Sequence, residues 1–178
     1  MLYMFLENGF EETEALATLD VIRRGNIDIL TVSDNEIVTG AHNIKVIPDI
    51  KFSDISYDKI EGIILPGGQP GSDNLYNNVK VKEIITYCAQ KELLICAICA
   101  APYILGKMGL LKGKKATSYP DYNCELKGAE VLDEKVVTDG NIITSKGMGA
   151  AILFGYSIVK YIKDERVAEE ILESIFAK

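Results

Sequence analysis

The sequence predicts an α/β protein, a mostly parallel sheet with helices on both faces. Two observations carry this. Short, continuously apolar runs such as Gly62–Leu65 and Leu93–Ile98 read as strands buried on both sides. They alternate with stretches of helical period, such as Glu12–Arg24, whose Ala15, Leu16, Leu19 and Ile22 share a face. In sheets of this kind the ligand crevice lies beyond the C-terminal strand ends. Three loops are expected there: residues 7–14, 66–75 and 99–102.

Taken in order, Leu2–Leu6 is a strand, broken by Asn8-Gly9. The helix Glu12–Arg24 follows and stops at Gly25-Asn26. Ile27–Val32 is the next strand, and Ile37-Val38 with Ile44–Ile47 form a small strand pair. Gly62–Leu65 closes on Pro66-Gly67-Gly68, and Lys80–Lys91 is a helix. Leu93–Ile98 is a strand that turns at once into a helix, Ala101–Met108. Lys115–Ser118 is a further candidate strand. Val136–Thr138, Asp139-Gly140 and Ile142–Ser145 carry a hairpin signal. Ala150–Lys163 and Glu165–Phe176 are the last two helices. The length suits one domain over residues 1–178.

The bulk numbers exclude some functions. A hydrophobic fraction of 48% and a charged fraction of 25% are those of an ordinary soluble protein. A net charge of -7 argues against nucleic acid, which needs a basic surface. Lys112-Gly113-Lys114-Lys115 reads as a solvated turn. No apolar run is long enough to span a membrane. No basic n-region opens the chain, so a secretory signal is not expected. Four scattered cysteines and one histidine, His42, do not make a zinc site. Cys96 and Cys99 have redox-motif spacing, but the first points into the core of a strand. A reduced, cytoplasmic protein is the expectation.

The sharpest chemical signal is Cys99. It stands at a strand-to-helix turn, with small Ala97, Ala100 and Ala101 around it and Pro102 next. Such an elbow lifts a reactive atom out of a sheet, and a helix N-terminus favours a thiolate. Buried packing is the competing reading for any free cysteine, and on local pattern the two are even. In the loop Pro66-Gly67-Gly68-Gln69-Pro70-Gly71, Gly67 and Gly68 let the backbone approach a ligand; with Ala100, the Gly68 N–H would form an oxyanion hole. The loop lacks the Gly-Lys-Ser/Thr ending of a Walker loop. Glu11-Glu12-Thr13-Glu14 opens a helix, where acidic residues complement the dipole, but a shielded glutamate there could also shuttle a proton. His42 is expected in the strand-pair region, away from the crevice, with a structural or interface role. Ser145-Lys146-Gly147-Met148-Gly149 is either a hinged helix start or a rim of the pocket.

Together these residues resemble the ThiJ/PfpI superfamily, in the branch of the parkinsonism-linked DJ-1 and its bacterial relatives. The resemblance runs from Gly9-Phe10-Glu11-Glu12-Thr13-Glu14 and Asp20-Val21-Ile22-Arg23-Arg24 through Leu65-Pro66-Gly67-Gly68 and Asn74-Leu75. It continues through Ala97-Ile98-Cys99-Ala100-Ala101-Pro102 to Thr144-Ser145-Lys146-Gly147-Met148-Gly149. It implies a flavodoxin-like three-layer sandwich, a homodimer, and Cys99 as the reactive residue with a protonated Glu14 beside it. The amides of Gly68 and Ala100 would line the pocket. It also implies chemistry without cofactor or metal on small reactive aldehydes, glyoxal or methylglyoxal, of the glyoxalase or deglycase type in stress protection. A second implied reading is an oxidation sensor or chaperone using the same cysteine, and a third is a binding protein that keeps the fold without the chemistry. Two positions depart from the family pattern. Ala100 replaces the histidine of the protease-like branch, which argues against a peptidase. Tyr119 stands before Pro120 where many relatives carry histidine. A phenol donates hydrogen bonds rather than serving as a base near neutrality.

Overall fold

Every residue of β1 (Leu2–Phe5) is buried, because the strand is covered from both sides. Successive side chains leave a strand in opposite directions. Tyr3 and Phe5 therefore enter one core, and Leu2 and Met4 the other. The same split recurs at Ile63 and Leu65 against Ile64, and at Ile95 and Ala97 against Cys96 and Ile98.

The computed structural model describes residues 1–177. After β1 come α1 (Glu12–Arg24), β2 (Ile29–Val32), β3 (Val38–Thr39), β4 (Lys45–Val46) and β5 (Gly62–Leu65). Next are α2 (Gly71–Asn77), α3 (Val79–Gln90), β6 (Leu94–Ile98) and α4 (Pro102–Lys107). The chain continues with β7 (Lys115–Ala116), β8 (Glu130–Val131), β9 (Val136–Asp139), β10 (Ile142–Ser145), α5 (Ala151–Ile162) and α6 (Glu165–Ser174). The main sheet has six strands in the order β2-β1-β5-β6-β10-β9. All neighbours are parallel except the edge strand β9, which is the antiparallel arm of the expected hairpin. Leaving out that edge, the order is the flavodoxin-like 2-1-3-4-5.

One face is covered by α3 and α4 through Val81, Ile84, Tyr103 and Ile104. The other is covered by α1, α5 and α6 through Leu19, Ile22, Phe154, Ile158 and Ile171. The helices begin and end on local signals. The Glu11 carboxylate caps α1 by accepting the Glu14 N–H at 2.6 Å, and Arg23 and Arg24 sit in its last turn, where the dipole favours cations. Asp164 caps α6 by accepting the Val167 N–H at 2.9 Å.

Three local readings change. The second half of the expected loop 66–75 is helical, the start of α2. The sequence Gly-Ser-Asp-Asn-Leu-Tyr-Asn has too little apolar period to announce a helix; Leu75 plugs the core and Tyr76 packs half-buried against it. The candidate strand after α4 shortens to β7, which pairs in parallel with β8 in a separate ribbon. The expected strand Ile27–Val32 begins at Ile29, since the Asp28 carbonyl accepts the Leu2 N–H and starts the ladder.

Candidate active site

The strand order fixes where chemistry can gather. β1, β5 and β6 are consecutive neighbours, so α1, the loop after β5 and the turn after β6 meet at one sheet edge. This is also where the order reverses, between β1 and β5, the usual place for a ligand crevice.

At the end of β6 the backbone of Cys99 has φ +63°. A non-glycine residue held there costs on the order of 1–2 kcal/mol. Burying one large apolar side chain, such as the neighbouring Ile98, contributes roughly 1.5–3 kcal/mol, so the fold can hold the strain. It is held by two bonds to different segments. The Cys99 N–H donates to the Ser145 carbonyl at 2.9 Å, and the Cys99 carbonyl accepts the Tyr119 N–H at 2.8 Å. The side chain is half-buried, while Cys96, on the same strand, is wholly in the core. Burial pushes the Cys96 thiol well up, and no disulfide joins the pair.

Glu14, on the first turn of α1, is only 1% exposed. Its Oε2 accepts the Gly67 N–H at 2.9 Å. Gly67 has to be glycine, since a Cβ there would lie 2.5 Å from that oxygen and 2.6 Å from the Cys99 Cβ. The other oxygen, Oε1, is buried without a regular hydrogen bond, though the carboxyl is within bonding range of the Cys99 thiol. Burial first, and the charge of Glu11 after it, raise the Glu14 carboxyl to about 7. At neutral pH it both gives and takes a proton.

The thiol departs from the sequence expectation. Burial, then the charge and hydrogen bond of an ionised Glu14, push Cys99 up to about 12. The N–H groups of Ala100 and Gly68 both donate toward the sulfur and pull the other way. α4 is only six residues long, and its N-terminus does not outweigh a buried carboxylate. Two negative charges at this contact exclude each other, so Cys99 and Glu14 carry one charge or none.

Cys99 and Glu14 open into a cavity of about 750 Å³, together with Tyr119, Lys135, Lys146, Met148 and His42. Tyr119 is 46% exposed at the mouth. Gly67, Gly68 and Ala100 lie beneath the sulfur, reaching it or Glu14 through the backbone rather than forming the wall. The placing of His42 is a correction, because it lines this cavity instead of standing away from it. Glu12 brings it there, with Oε2 2.9 Å from His42 Nδ1 and Oε1 accepting the His42 N–H at 2.6 Å. Lys135 carries no signal in the sequence. It is positioned by its carbonyl, which accepts the Lys146 N–H and the Ser145 hydroxyl, both at 3.0 Å. Among the described residues Glu11, Glu12 and His42 are close enough to share a cation, but their oxygens already serve the helix cap and the 40–44 turn.

Other proteins share this arrangement of the chain. The DJ-1/PfpI family model matches residues 1–161. Protein dj-1beta of Drosophila melanogaster is 33% identical over 97% of this chain and 94% of its own. Its crystal structure superposes with a TM-score of 0.93, covering 98% of this chain and 96% of that one. The glutathione-independent glyoxalase DJR-1.2 of Caenorhabditis elegans is 30% identical over 93% of this chain and 89% of its own. The deglycase PfpI of Pyrococcus furiosus is 29% identical over 92% of this chain and all of its own. With its flavodoxin-like sheet, its cysteine at the β6 elbow and a match over most of its length, the chain belongs to the DJ-1/PfpI family.

Proposed function

We propose that the protein is a cysteine-dependent, cofactor-independent glyoxalase or deglycase-type enzyme acting on small α-oxoaldehydes such as glyoxal and methylglyoxal. The observation that carries this is the pairing of a half-buried Cys99 with a Glu14 carboxyl that titrates at about 7. The names of two relatives, a glyoxalase and a deglycase, support the substrate class.

The Cys99 sulfur adds to the aldehyde carbon as its proton passes to the Glu14 carboxylate. The oxygen that becomes charged takes the N–H groups of Gly68 and Ala100, which are already turned toward the sulfur. Glu14 returns the thiol proton to the charged oxygen. The carboxylate, free again, moves the proton from the aldehyde carbon to its neighbour while the hydroxyl proton passes to the adjacent carbonyl oxygen. That carbon is oxidised to a thioester while the adjacent carbonyl is reduced to an alcohol. Water cleaves the thioester and releases glycolate or lactate. The test is lactate formation from methylglyoxal without glutathione. Wild type should turn over, and Cys99→Ala should not; equal rates, or an inactive wild type, would remove this reading.

A second reading, an oxidation sensor, draws on the unpartnered Glu14 Oε1 beside the thiol. Protonated, it would donate to an oxidised sulfur. Mass spectrometry after mild peroxide tests it, and modification at the exposed Cys124 ahead of Cys99 would count against it. We also infer a homodimer. Ile44, Ile47, Met148 and Ile152 are exposed, and Met148 and Ile152 share a groove beside the cavity. A monomer's sedimentation mass would refute the dimer.

A further inference from the structure

The cavity has a second titratable pair on its wall. The His42 ring lines it, 73% exposed, with Nδ1 2.9 Å from the buried Glu12 Oε2. The plain reading is that Glu12 ties the 40–44 turn to α1. That tie is already made by Oε1, which accepts the N–H groups of His42 at 2.6 Å and Ile44 at 3.3 Å. The ring bond adds something else. A carboxylate on Nδ1 holds the neutral imidazole's proton there and leaves Nε2 as a free base. Acyl-transfer sites also use a histidine oriented by a carboxylate, and here the ring lines the same cavity as the Cys99 sulfur.

Hydrolysis of an acyl–Cys99 thioester needs a base that can reach water. Glu14 is poorly placed for that: Oε2 holds the Gly67 N–H, and Oε1, buried beside the thiol, serves atoms bonded at the sulfur rather than water out in the cavity. Tyr119 is a phenol. We propose that His42, oriented by Glu12, is the base that activates water against the acyl–Cys99 thioester. The proposal rests on the glyoxalase reading for its natural substrate. In the step, Nε2 takes a proton from water as the oxygen bonds to the thioester carbon. The carbon–sulfur bond then breaks, the acid leaves, and the sulfur recovers that proton from the imidazolium.

Glu12, bonded to the ring, and Glu11 close by both raise His42 above its ordinary value. The other charged groups on the cavity wall are Glu14, Lys135 and Lys146. The base works in its neutral form, so the rate should climb as pH rises through the His42 value.

The experiment acetylates the intact protein with p-nitrophenyl acetate and follows loss of acetyl-Cys99 by mass spectrometry across the neutral range. In His42→Gln the loss should slow about a hundredfold and its pH dependence should flatten. In Glu12→Gln the loss should slow less, with the profile displaced to lower pH. A His42→Gln variant with the wild-type rate and profile overturns the proposal, as does a wild type that forms no acetyl-Cys99. If methylglyoxal is not turned over but deacetylation depends on His42, the glyoxalase reading alone fails. If methylglyoxal is turned over and His42→Gln deacetylates normally, only the His42 proposal fails.

Discussion

Glu12 and Glu14 lie two residues apart on the same helical turn, 3% and 1% exposed, and their carboxyls shift in opposite directions. Burial raises both. At Glu12 it is outweighed by donors: the His42 ring and the N–H groups of His42 and Ile44 hold the carboxyl below the ordinary glutamate range. At Glu14 deep burial outweighs the Cys99 thiol and the Gly67 N–H, Oε1 has no regular partner, and the carboxyl rises to about 7. Low exposure alone therefore does not set the chemistry of a carboxylate; the depth of protein around it and the donors supplied to it do so together. One glutamate is spent on structure and on orienting a histidine. The other is left short of partners beside a thiol.

Replacing each by glutamine should break the comparison in opposite senses. The largest effect is on turnover. Glu14→Gln removes the proton shuttle and should lower methylglyoxal turnover by about 10²–10⁴-fold, read as lactate formation. A residual rate near wild type would mean Glu14 does not carry the proton. The same variant should be more stable at alkaline pH. A carboxyl raised from 4.5 to about 7 binds its proton more tightly in the folded state, so folding loses stability as pH rises between those values. Above pH 7 the cost of the buried charge is roughly 3 kcal/mol, which glutamine avoids. Below 4.5 both states are protonated and the variant gains nothing. Chemical denaturation at acid and alkaline pH reads this difference.

Glu12→Gln should do the reverse, by less. Glutamine has one acceptor oxygen where the carboxylate serves two backbone N–H groups and a ring. The expected loss is about 1–3 kcal/mol at neutral pH. The wild-type advantage is present above the unfolded value of 4.5 and disappears as pH falls through the lower folded value. A stabilised Glu12→Gln protein would undo the donor argument.

What could be read in the sequence follows the range of the interactions. The elbow at Cys99 is local: a strand, a turn and a helix within a few residues, so its pattern is visible. Glu14 and Gly67 are visible because each follows a strand, and α/β topology sends strand ends to one edge. The cavity wall at His42 depends on bonds between residues 12 and 42, on separate elements, and no periodicity marks them. α2 was hidden because its seven residues are mostly polar. The direction of the Cys99 shift could not be read either. The sequence shows a helix start beside the sulfur, but the shift is set by burial and by a carboxylate that arrives from another element.

The smallest predicted effect concerns His42 and sharpens the comparison from its other end. The ring is exposed and the backbone bonds to Glu12 do not need it, so His42→Gln should leave the thermal midpoint within about 2 °C. A slope should remain. His42 is raised above its unfolded value by its bond to Glu12. Its contribution is thus complete below the ordinary histidine value and is lost as pH rises through the higher folded value. The gap between wild type and variant should close as pH rises across that window. A gap that widens instead would mean that Glu12 holds the neutral ring more tightly than the charged one. The carboxylate would then not be ionised at neutral pH, and the donor count at Glu12 would have been outweighed by burial after all.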